Sequence, residues 1–111
     1  MTQAQYVFIE SRDPFESPDT GFVADAAAAL RDRGRAVTVF LLQNGVLATR
    51  AAARGSQVPR LVEAGVRVLA DDFSLRERGI VAGEIGAGIQ EASIEALVDL
   101  MVQPGTKTLW H

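Results

Sequence analysis

The chain has 111 residues, room for one domain around one core, and a hydrophobic share of 48% beside a charged share of 23% excludes general disorder. The net charge is -3 and the ten arginines and single lysine form no basic stripe, which argues against nucleic acid as a partner. There is no cysteine, so disulfides, thiol nucleophiles and cysteine-ligated metals are excluded.

The opening MTQAQYVFIE lacks a basic start followed by a long apolar segment, and no run approaches the roughly 20 apolar residues that cross a bilayer. A soluble, cytoplasmic protein without membrane contact is expected. Tyr6 to Ile9 is a short aromatic and β-branched run of buried-strand type. The proline-, serine- and acid-rich SRDPFESPDTG follows, and Asp19 or Thr20 can cap a helix with apolar positions Phe22, Val23, Ala26, Ala27 and Leu30. That helix stops at Gly34.

Ala36 to Leu42 is a continuous apolar run, as in a strand covered on both faces, and QNG ends it as a turn. An alanine- and arginine-bearing segment from Val46 breaks at Gly55 and Ser56. A short helix from Val58 follows, with Leu61 and Val62 inward, and Gly65 closes it. Val66 to Ala70 is the third strand. Phe73 to Arg78 reads as a short helix ended by Gly79, and the glycine-rich GIVAGEIGAGI as a loop with room for a short strand. Ser93 offers an N-cap to a helix with Ile94, Leu97, Val98 and Met101 on one stripe. Pro104 and Gly105 end it, and Thr106 to Trp110 forms the last strand.

Strands separated by helical crossovers predict an α/β fold, a single three-layer domain over residues 1–111. Its sheet is mainly parallel, with four or five strands and helices on both faces. In such sheets the functional crevice lies outside the carboxyl ends of the strands. The candidate site residues are therefore Ser11, Arg12 and Asp13 after the first strand, Gln43, Asn44 and Gly45 after the second, and Asp71 and Asp72 after the third.

Three stretches resemble the DsrE/DsrF-like family of sulfur-relay proteins, and the likeness runs over nearly the whole chain. They are VTVFLLQNGV at 37 to 46, AGVRVLADDFSLRERGI at 64 to 80, and the final helix ALVDLMV with the closing strand TKTLWH. The resemblance implies the fold, the pocket location and assembly as a homo-oligomer (trimer or hexamer) or a hetero-oligomer with related subunits. It further implies a reactive cysteine at the end of the third strand, where a helix N-terminus stabilises a thiolate. Counting back from Arg78-Gly79 puts that position at Asp71, or at Asp72 if the loop is one residue shorter. Persulfide transfer by the family's route is thereby excluded for this chain.

For the two carboxylates, one reading makes Asp72 the N-cap of the helix at Phe73 and Asp71 a solvated loop residue or a negative charge facing the crevice. The other is an enzyme using carboxylate chemistry at Asp71 and Asp72, which needs more convergent groups than the sequence offers. The only histidine, His111, reads as a frayed end. Arg50, Arg54, Arg76 and Arg78 are candidates to ring the pocket, with Arg76 also able to pair with Asp72 four residues earlier. A phospho-acceptor receiver domain fits poorly, since the only lysine, Lys107, starts the last strand instead of ending it. GEIGAG lacks the Lys-Ser/Thr of a phosphate loop. No cofactor and no metal are expected.

Overall fold

A computed structural model describes residues 4–111; Met1 to Gln3, part of the opening stretch read for a leader, lie outside the described residues. Five strands, β1 (Gln5–Glu10), β2 (Ala36–Leu41), β3 (Arg67–Asp71), β4 (Ile89–Ala92) and β5 (Thr106–Trp110), form one sheet in the order β4-β3-β2-β1-β5. Every pairing is parallel. The helices α1 (Thr20–Asp32), α2 (Val58–Glu63), α3 (Asp72–Glu77) and α4 (Ile94–Met101) fill the crossovers. The expected three-layer α/β domain is the one observed.

Period-two alternation along the strands divides the core between two faces. Phe8, Val37, Val39, Leu41, Val68 and Ala70 point to one side, where Val23, Ala24 and Ala27 of α1, Val58 and Leu61 of α2, and Leu75 of α3 cover them. Val7, Ile9, Phe40 and Leu69 point to the other and meet Leu97 of α4. That second face has a single eight-residue helix as its cover, yet Phe40 is fully buried there.

The stripe on α4 is wider than its line of contact with the sheet. Of Ile94, Leu97, Val98 and Met101, only Leu97 is buried; Val98 is 50% exposed and the following Val102 73%. The surplus apolar side chains face outward.

Element ends differ from the sequence reading where backbone pairing decides them. β3 extends one residue past Ala70, because Asp71 pairs with Ala92 of β4. QNG opens a 3-10 helix, Gln43–Thr49, in place of a simple turn. The glycine-rich stretch holds a 3-10 turn at Ala82–Glu84 and runs into β4. Ser93 caps α4 as expected, its hydroxyl oxygen accepting from the Ala96 N–H at 3.2 Å. Among the described residues no helix is long and apolar enough to cross a membrane.

Candidate functional site

At the end of β3 the backbone of Asp71 is still extended, with φ -62° and ψ 120°, and helical geometry begins at Asp72. Asp71 is therefore the N-cap, which corrects the assignment of that role to Asp72. Its Oδ2 accepts from the Ser74 N–H at 2.9 Å and from the Ser74 hydroxyl at 2.6 Å. The Ser74 hydroxyl oxygen in turn accepts from the Gln43 N–H at 2.9 Å, so the cap ties the ends of β2 and β3 together. Asp71 is 4% exposed and Ser74 3%, neither a solvated loop residue nor a free charge in the crevice. Asp72 occupies the first turn of α3 and stands 4.0 Å from Arg76, the spacing expected for that pair.

The 3-10 helix after β2 completes this corner. Gln43 adopts φ +52°, uncommon for a residue with a side chain, and the bonded Gln43 N–H helps to hold it there. The Asn44 Oδ1 accepts from Arg78 Nε at 3.1 Å and Nη2 at 2.9 Å, while Arg78 Nη1 donates to the Ser74 carbonyl at 3.3 Å. Gly45 packs against the end of β1 so closely that a Cβ there would overlap the Glu10 carbonyl oxygen. Only glycine permits that approach.

Between α3 and the start of α4 lies an open cleft of about 760 Å³, with Gln43, Asp71, Asp72, Arg76, Arg78 and Glu95 in its walls. Its walls carry both cations and carboxylates, and the exposed Phe73 ring adds an apolar edge. Of the four arginines considered, Arg76 and Arg78 line this cleft, whereas Arg50 lines a separate hollow with Ala48 and Pro59.

Ser11 and Arg12 do not join the cleft; they belong to a second cluster at the ends of β1 and β5. The strand order reverses here, because β1 feeds α1 toward β2 on one side while α4 delivers β5 to the other. Such switch points open a crevice at the carboxyl ends of the strands. His111 continues β5, its N–H donating to the Ile9 carbonyl at 2.8 Å and its carbonyl accepting from the Ser11 N–H at 2.9 Å. The Ser11 hydroxyl also donates to the His111 carbonyl at 2.9 Å, and its oxygen accepts from the Trp110 indole at 3.2 Å.

The His111 side chain is 19% exposed, which corrects its reading as a frayed end. Its Nδ1 lies 2.9 Å from the Glu10 carboxylate and its Nε2 3.0 Å from Asp19 Oδ2. An ionised carboxylate only accepts hydrogen bonds, so both contacts are satisfied when both ring nitrogens carry protons. The hydrogen bond with Glu10, and then that with Asp19, raises the His111 pKa above its ordinary 6.5. Burial raises that of Glu10 above 4.5 even though bonds from His111 and the Arg12 N–H work in the opposite direction. The bond from His111 lowers that of the exposed Asp19 below 3.8.

The structure thus divides the sequence-derived candidates: Asp71, Asp72 and Asn44 meet around α3, and Ser11 and Arg12 stand beside Glu10 and His111. Gly45 is the packing contact between the two groups. Glu10, Asp19 and His111 were missed as a group because 101 residues separate Glu10 from its partner. The available signal was two strands, each followed or ended by an ionisable residue, and strand order was needed to pair them. Among the described residues no group of three His, Cys, Asp or Glu side chains is placed to hold a metal ion.

No family model and no curated protein matches this chain. Solved structures do. The crystal structure of the YchN protein from E. coli is similar over 98% of this chain and 100% of its own, with a TM-score of 0.86 and 19% identity. MTH1491 from Methanobacterium thermoautotrophicum, a protein of unknown function, covers 99% of this chain and 100% of its own at TM-score 0.80 and 17% identity. BT1422 from Bacteroides thetaiotaomicron, also of unknown function, gives 0.70 and 20% over 96% and 95% of the two chains. At these identities the likeness is one of fold.

Proposed function

We infer that this chain is a non-catalytic DsrE/DsrF-like subunit that binds a partner protein or small ligand, linked to sulfur relay but without persulfide transfer of its own. The observation that carries this reading is Asp71. At the strand end where the resemblance calls for a reactive cysteine, the chain has a buried carboxylate committed to capping α3 through Ser74. No cysteine exists elsewhere to take over. An enzyme using carboxylate chemistry at Asp71 and Asp72 is less well supported, since Asp71 is spent on capping α3.

Assembly is the second part of the reading. The outward apolar side chains of α4, Ile94, Val98, Met101 and Val102, support a homo-oligomer, trimer or hexamer, or a hetero-oligomer with related subunits. A cytoplasmic location belongs to the same reading. Light scattering at micromolar concentration tests the homo-oligomer: a mass several times 11.9 kDa is expected, falling toward the monomer in Val98→Glu. A wild-type monomer that also fails to bind a relay subunit in mixtures would refute it.

A further inference from the structure

We propose that residues 11–19 are a lid over the crevice at the carboxyl ends of β1 and β5, held shut by the His111 imidazolium bridging Glu10 and Asp19. Position in the fold is the first reason. Both ends of the segment, Ser11 and Asp19, meet His111 at the end of β5, which puts it at the sheet's switch point, where open parallel sheets bind their ligands, and away from the cleft beside α3.

The second reason is how few bonds hold the segment. Asp13 folds it on itself: its Oδ1 accepts from the Phe15 N–H, and its carbonyl accepts from those of Glu16 and Ser17. The Arg12 N–H donates to Glu10, two residues back. Ser11 anchors the base of the lid to His111. Beyond Ser11, among the described residues, the one hydrogen bond from the lid to a distant element is that between Asp19 and His111, 92 residues apart.

Asp19 supplies the third reason. It stands at the N-cap position of α1, yet its carboxylate makes no capping bond and reaches His111 instead. Arg12 and Pro14 also close a void of about 30 Å³ on the α1 side of the sheet, whose other walls are Glu10, Val39 and Leu41 of the strands, Ala24 of α1 and Leu61 of α2.

The latch depends on the imidazolium. A neutral imidazole donates through one nitrogen only and turns a lone pair toward the other carboxylate. The charges acting on the ring are Glu10, from β1, and Asp19, from the lid. Asp13 is buried in its own turn, and the Arg12 side chain is exposed. The one charged residue of β5, Lys107, lies 5.8 Å from the Tyr6 ring centre toward the other end of the strand. Losing the ring proton therefore releases the lid at Asp19, the exposed end of the bridge.

Amide hydrogen exchange tests this on the whole chain, read as protection factors so that the pH dependence of chemical exchange is divided out. Between pH about 5.5 and about 8.5, on either side of the histidine range, protection of the Glu16, Ser17 and Thr20 amides should fall about tenfold while that of β2 and β3 holds. In His111→Gln and in Asp19→Ala those amides should exchange fast at both pH values. Asp19→Ala removes an exposed carboxylate with no capping role, so it remains informative should His111→Gln fail to fold. Equal wild-type protection at the two pH values, or a variant that keeps the wild-type pH dependence, would overturn the proposal.

Discussion

Replacing Asp71 by alanine isolates the cap at the β3–α3 junction. The substitution removes the acceptor of the Ser74 N–H, and losing such a cap costs about 0.5–2 kcal/mol. It also leaves the Ser74 hydroxyl, in a residue 3% exposed, without its acceptor, at about 1–3 kcal/mol. The two losses share one network and do not simply add, so a total of about 2–4 kcal/mol is expected. Asp72→Ala is the control. Its side chain is 38% exposed and its ion pair with Arg76 is long, so the loss is about 0.3–0.5 kcal/mol from the pair and about 0.3–1 kcal/mol from the helix dipole. Asp71→Asn, which keeps an oxygen for Ser74, should fall between the two. Urea melts of the three variants give the order, with the Asp71→Ala midpoint displaced by about 0.7 M or more for a slope of about 1–3 kcal/mol per molar. An Asp72→Ala loss equal to or larger than that of Asp71→Ala would refute the assignment of the cap.

Gly45→Ala should destabilise by about 1–3 kcal/mol in the same melts, because the new methyl group meets backbone at Glu10 that a β-strand holds in place. Stability should also depend on pH through the bridge. His111 has a raised folded pKa, so its contribution is complete below 6.5 and is lost as pH rises through the folded value. Glu10 is raised too and acts in the same sense above 4.5, whereas the lowered Asp19 contributes above 3.8 and loses that contribution only as pH falls through its folded value. The melting temperature should therefore decline from mildly acidic to mildly alkaline pH in the wild type, and His111→Gln should remove most of that decline; an unchanged slope would count against the bridge.

The order of strands and helices was legible because it rests on local signals. Buried parallel strands are continuous apolar runs such as VTVFLL, glycines such as Gly34 and Gly65 close helices at positive φ, and Ser93 caps the helix that follows it. The absence of cysteine was likewise plain from the residue list alone. Which of the adjacent acids Asp71 and Asp72 capped α3 was not legible. The choice depends on whether β4 extends the ladder of β3 by one residue, and that pairing is a contact between distant segments. The outward surplus on α4 was hidden for a similar reason, since periodicity marks an apolar stripe without saying how much of it the sheet will cover. His111 shows the division most clearly: only when the sheet sets β5 beside β1 does a residue with no local pattern come to lie between Glu10 and Asp19, because a hydrogen bond depends on distance in space and not on separation along the chain.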